Sequence, residues 1–181
     1  HLCWPAGLEA TRLTYGGNFH NDPALAVQSR LILLWGHNPA KTNVHQWRLI
    51  LDAQARGARV IVIDPRQTDS TDAADLHLRP RPGTDAALAL GLAGEIVAAG
   101  LEDSAFLDAH ADGFEEYRQR LTEFPLERVA SITGLDAQEV RALAQEYAGT
   151  KPALLIAGFG LQRHSRAGQT MRAVALLPAL T

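Results

Sequence analysis

Cysteine is nearly missing from this chain: Cys3 is the single one, so no internal disulfide can form and bridges say nothing about the compartment. Runs of one charge are missing as well. The 17 Lys and Arg are scattered among 20 Asp and Glu, with a net charge of −3, so a basic face for nucleic acid is not expected. No apolar stretch approaches the roughly eighteen residues that cross a bilayer, so no direct membrane insertion is expected. The Gly-x-Gly-x-x-Gly fingerprint of ordinary nicotinamide sites does not occur, and no internal repeat or low-complexity segment is visible. The chain opens on His1 instead of Met, and its last helical run, Gly168 to Thr181, lacks the glycine or polar stop that usually closes a helix. A piece of a longer polypeptide is therefore expected, a naturally trimmed mature protein being the alternative.

What is present is ordinary globular material, with 46% apolar and 20% charged residues over 181 positions. That length suits one α/β domain or slightly more, burying about 70% of its unfolded surface. Leu31-Ile-Leu-Leu-Trp35 is a continuous apolar run and Arg59-Val-Ile-Val-Ile63 a β-branched one. Both predict strands buried on two faces, as in parallel sheets. Between them, Asn43 to Arg56 predicts a helix with Val44, Trp47 and Leu51 on its apolar stripe, stopped at Gly57. Strand, helix and strand within about thirty residues make a βαβ unit with a right-handed crossover.

Asp75 to Arg79 alternates apolar and polar residues, predicting a third, more exposed strand. Thr84 is the expected N-cap of an Ala- and Leu-rich helix from Asp85 to Ala99, closed by Gly100. Residues 101–134 read as a small peripheral insertion of short helices broken by Gly113 and Pro125. Asp136 with Glu139 forms a capping-box pattern ahead of a helix to Tyr147, and Ala153 to Ala157 predicts a last buried strand before a final helix. The expected fold class is α/β: a doubly wound, mostly parallel sheet with helices on both faces, three-layered and Rossmann-like.

Ligands of such sheets bind outside the carboxyl ends of the strands. Gly36-His-Asn-Pro39 follows the first strand. There glycine permits close backbone approach, proline presets the first helical turn, and unpaired N–H groups suit a phosphate. A tight turn with Asn38 capping the helix is the alternative. Asp64-Pro65-Arg66 follows the second strand, where an acid accepts from ribose hydroxyls and an arginine meets phosphate or stacks on a base; Asp64 as a loop cap is the alternative. Gly158 to His164 combines two glycines with donors from Gln162 and Arg163 for phosphate or a polar heterocycle, a plain glycine turn being the alternative. Pro82-Gly83-Thr84-Asp85 places a carboxylate at a helix start, able to accept the N–H donors of guanine, although the helix dipole alone also favours it there.

Taken in order, Leu33-Leu-Trp-Gly-His-Asn-Pro39, Val62-Ile-Asp-Pro-Arg66, Arg81-Pro-Gly-Thr-Asp-Ala-Ala-Leu-Ala-Leu-Gly91 and Gly158-Phe-Gly-Leu-Gln-Arg-His164 resemble one family in text and spacing. It is the molybdopterin oxidoreductase family of dimethyl-sulfoxide reductase, periplasmic nitrate reductase and formate dehydrogenase. The opening His1-Leu-Cys-Trp-Pro-Ala-Gly7 with Thr14-Tyr-Gly16 is similar to the segment whose Cys, selenocysteine or Ser ligates the metal. Formate dehydrogenases place His directly after that ligand, where Trp4 stands here, which argues against formate oxidation.

The resemblance implies a molybdenum (or tungsten) bis(molybdopterin guanine dinucleotide) cofactor and a two-electron reaction, often oxygen-atom transfer, at the metal. It implies that Cys3 is the catalytic metal ligand; a small buried cysteine at a helix start is the alternative. Gly36, Asn38 and Thr42 would contact dinucleotide phosphates, Asp64 and Arg66 the ribose or base, and Asp85 the guanine, with Pro65, Gly83 and Thr84 also binding the cofactor. Gly158, Phe159, Gly160, Gln162, Arg163 and His164 would line the pterin or phosphate side. The implied partners are a small-molecule substrate, the remaining domains of the same chain and electron-transfer subunits, with no nucleic acid. An iron–sulfur cluster would sit in an N-terminal part outside these residues, since one cysteine cannot hold it. The isolated chain is expected to be inactive. Two rival readings stand beside this one: a structural electron-relay subunit resembling the large iron–sulfur subunit of NADH dehydrogenase, without molybdenum, and a regulatory nucleotide-binding module. Cytoplasm and periplasm are both open.

Overall fold

The computed structural model describes residues 3–18 and 21–181; His1 and Leu2 of the opening motif lie outside the described residues. Four strands, β1 (Leu31–Trp35), β2 (Arg59–Ile63), β3 (Leu76–Leu78) and β4 (Ala153–Ala157), form one sheet in the order β3-β2-β1-β4. Every pairing is parallel. The helices are α1 (Pro5–Tyr15), α2 (Pro39–Thr42), α3 (Val44–Gln54), α4 (Asp69–Asp72), α5 (Asp85–Ala98), α6 (Ser104–His110), α7 (Phe114–Leu121), α8 (Leu126–Thr133), α9 (Ala137–Gly149) and α10 (Ala167–Leu180). No helix among the described residues is long and apolar enough to cross a membrane.

β1 pairs on both sides, Trp35 lying opposite Ile63 in one neighbour and Ala157 in the other, and all five of its residues are buried. This is why its sequence is apolar without alternation. β3 lies at the sheet edge and is shorter than the alternating stretch Asp75 to Arg79 predicts. Successive side chains leave a strand on opposite faces. Ile32, Leu34, Val60 and Val62 therefore pack with Ile50 and Ala53 of α3, while Leu33, Trp35, Ile61 and Ile63 pack with residues of α5, α9 and α10 such as Leu88, Leu143 and Val174. The predicted doubly wound α/β sandwich is the observed fold.

Three local expectations change. Val44 is 59% exposed, and the inward stripe of α3 runs through Trp47, Ile50 and Ala53. The shift follows from where α3 begins: Asn43 caps it, its side chain accepting from Gln46 N at 3.3 Å. Thr84 precedes α5 without a side-chain cap, because its hydroxyl donates to Arg81 O at 2.6 Å. The helices α6 to α8 are not merely peripheral, since Leu107, Leu121, Leu126 and Val129 belong to the same core as the sheet. The capping box at Asp136 and Glu139 is present as predicted.

A candidate cofactor rim at the carboxyl edge of the sheet

Because every strand runs the same way, Trp35, Ile63, Leu78 and Ala157 end on one edge, and the four loops singled out above leave from it. Two of them interlock. Gly36 N donates to Ile63 O at 2.8 Å and Gly158 N to Trp35 O at 2.8 Å, so the ladders run on into the turns. Gly36 has φ +58, the left-handed region that favours glycine. A Cβ on Gly158 would overlap Gly36 O and lie 2.7 Å from Gly36 C and His37 Cα, and one on Gly160 would lie 2.9 Å from Gly36 O. The glycines of the last loop are thus explained first by backbone packing on backbone.

After β1, the short helix α2 intervenes before α3, and its donors are mostly spent internally. Ser70, fully buried in α4, donates to Asn38 Oδ1 at 2.7 Å and accepts from Ala40 N at 3.2 Å. Lys41 N and Thr42 N reach Asn38 O, which also accepts from Thr42 Oγ1 at 2.9 Å. Asn38 therefore makes no side-chain cap, and a four-residue helix offers little dipole to a phosphate. His37 Nε2 lies 3.1 Å from Gln46 Oε1. Burial holds the His37 imidazole below its ordinary value, the Gln46 hydrogen bond partly opposing this. Exposed Lys41 is raised by its ion pair with Asp69 at 2.8 Å.

After β2, Asp64 Oδ1 accepts from Arg66 N at 2.8 Å, so the carboxylate caps its own turn, and the Arg66 side chain is exposed. His77 Nε2 lies 2.8 Å from Asp64 O. Asp85 is only 7% exposed, and its Oδ1 accepts from Trp35 Nε1 at 2.8 Å. The third and fourth loops touch: a Cβ on Gly83 would lie 3.4 Å from His164 Nδ1. Arg163 and His164 are exposed beside it.

Cys3 is exposed just ahead of α1 in this chain. The segment after it lies on the last loop. Trp4 stacks on Phe159 with ring centroids 5.3 Å apart, and Gly7 N donates to Gln162 Oε1 at 2.7 Å. Gln162 Nε2 is buried and has no hydrogen-bond partner among the described residues. Two cavities of about 570 and 660 Å³ open beside this region, one against β4 and α10, the other between α1 and α10. Neither is lined by Asn38, Asp64, Asp85 or Gly160, whose loops leave the same edge of the sheet.

Sequence reasoning missed Ser70, His77, Trp35 as a donor, and Gly7. Only Ser70 had a local signal, the Thr68 and Thr71 box that starts α4.

The family model for molybdopterin oxidoreductase matches residues 10–181. Probable oxidoreductase YoaE of Bacillus subtilis (strain 168) is 36% identical over 180 residues, covering 99% of this chain and 26% of the relative. Dimethyl sulfoxide reductase DmsA of Escherichia coli (strain K12) is 36% identical over 198 residues, covering 96% of this chain and 24% of the relative. The solved acetylene hydratase from Pelobacter acetylenicus superposes with a TM-score of 0.89 at 32% identity, covering 99% of this chain and 24% of that one. The chain spans about a quarter of the length of these relatives. With a family model over nearly its whole length and the four motif loops on one sheet edge, the chain belongs to the molybdopterin oxidoreductase family.

Proposed function

We propose that this chain is the α/β portion of a molybdenum- or tungsten-dependent oxidoreductase. It would hold a guanine dinucleotide arm of a bis-pterin cofactor and supply the metal ligand Cys3. The observation that carries this reading is the junction of the Cys3 segment with the loop after β4, where buried Gln162 keeps one amide end, Nε2, without a partner among the described residues. A buried donor left unpaired costs about 1–3 kcal/mol, so such a site calls for an acceptor, and pterin rings and phosphates are rich in them.

When bound, the group supplies a metal that exchanges two electrons with a small substrate. The chain's own residues bind and orient. Cys3 would hold the metal through its Sγ. Arg66 and Arg163, exposed on the rim, meet phosphate charge. Asp85, its rotamer held by Trp35, accepts the N–H donors of guanine, while Asp64 with Pro65 shapes the ribose turn. Gly36, Asn38, Thr42, Gly83, Thr84, Phe159, Gly160 and His164 complete the lining. The rest of the polypeptide closes the cradle and carries any iron–sulfur cluster, and electron-transfer subunits complete the circuit. The relatives named above include a sulfoxide reductase and an acetylene hydratase, so one rim serves more than one reaction.

The test uses the full-length protein. Metal, pterin and GMP released by acid hydrolysis should appear together. Cys3→Ala should keep the pterin while lowering turnover by about two orders of magnitude, a barrier increase of ~2.7 kcal/mol. Protein purified with neither metal nor pterin from a host that makes the cofactor would sink the reading.

A further inference from the structure

Helix α1 has no cap of its own. Trp4 occupies the N-cap position and its side chain makes no cap to the first turn, so the first N–H groups of the helix take partners from elsewhere. For Gly7 N that partner is Gln162 Oε1, 2.7 Å away and 155 positions along the chain. The approach is tight, since a Cβ on Gly7 would lie 2.6 Å from Trp4 Cζ3 and 3.0 Å from Gln162 Oε1. Gln162 is 4% exposed, and the Trp4–Phe159 stack fixes the same two segments from the other end of the loop.

We propose that Gln162 is the positioning residue for Cys3: its Oε1 caps α1 from across the fold and so fixes the helix start that Cys3 leads into. This rests on the reading of Cys3 as the metal ligand. Burial alone would be served by any apolar side chain of this size, whereas the bond to Gly7 needs an acceptor oxygen. The contribution of Gln162 is therefore geometric, acting through the first turn of α1.

The test compares wild type, Gln162→Met and Gln162→Glu in the full-length protein. Met keeps length and burial but offers no oxygen; Glu keeps an acceptor at a helix N-terminus, where negative charge is favoured. Amide hydrogen exchange over residues 4–8 is measured on protein made without cofactor. The electron paramagnetic resonance spectrum of the half-reduced metal is recorded on holoenzyme. Gln162→Met should exchange at least tenfold faster there and give more than one spectral species, and Gln162→Glu should restore the slow exchange. Unchanged exchange or an unchanged spectrum in Gln162→Met overturns the proposal, as does Gln162→Glu exchanging as fast as Gln162→Met.

Protection of β1 is the folding control. If Gln162→Met loses it, Gln162→Asn, one methylene too short to reach, replaces it under the same criteria. Cys3→Ser separates the two ideas. An unchanged spectrum in Cys3→Ser removes metal ligation while exchange still judges the cap. A changed spectrum there, with wild-type behaviour in Gln162→Met, removes the cap alone.

Discussion

Gly158 shows how one missing side chain can be misread. In the sequence, two glycines after a strand suggest a bare cradle for a ligand; in the fold, the space beside Gly158 is already filled by the Gly36 peptide. Gly158→Ala should therefore destabilise the folded domain by about 1–3 kcal/mol through overpacking. That corresponds to a fall of several degrees in its thermal transition, with cofactor content falling as the loop is pushed out. A variant that melts with wild type would show that the turns after β1 and β4 separate freely. Trp35 carries a similar lesson. It reads as the last apolar residue of a buried strand and is one, yet its indole also donates to Asp85.

Helix packing makes a second glycine informative. Gly91 sits inside α5, where Ala would be the better helix former by about 1 kcal/mol. Against α8, however, a Cβ at Gly91 would lie 2.7 Å from both methyls of Val129. Gly91→Ala is thus expected to lower stability despite its propensity, and Val129→Ala to lower it by leaving a cavity. The double variant should cost less than the sum, with a coupling of about 0.5–3 kcal/mol, read from denaturant midpoints in a double-mutant cycle. Simple additivity would mean that α5 and α8 do not press on each other there. The short elements were the least legible. α2 and α4 are four residues each, too short for any periodicity to register, and α4 supplies Ser70 to the rim.

Across the fold, the parallel sheet is what gathers the loops, and this has a titration signature. Burial keeps the His37 imidazole on that rim below its ordinary 6.5. The unfolded imidazole then takes up a proton first, so the stability tied to neutral His37 is complete above about pH 6.5 and is lost as pH falls toward the folded value. Denaturation midpoints should accordingly decline on that acid side, and His37→Gln should flatten the decline. An equally steep acid limb in the variant would assign it to other groups.

Local physics alone specified much of this. Uninterrupted apolar runs identified β1 and β2 as strands covered on two faces, and the Asp136–Glu139 box marked the start of α9, because solvent partition and capping act over a few residues. The order of the motifs already marked the family. What tertiary structure decided was which polar atom meets which. Gln162 reaches Gly7 across 155 positions, Trp35 reaches Asp85 across 50, and Ser70 reaches Asn38 across 32. A sequence pattern records which side chains avoid water; hydrogen-bond partners are chosen by proximity, and proximity exists only once the chain has folded.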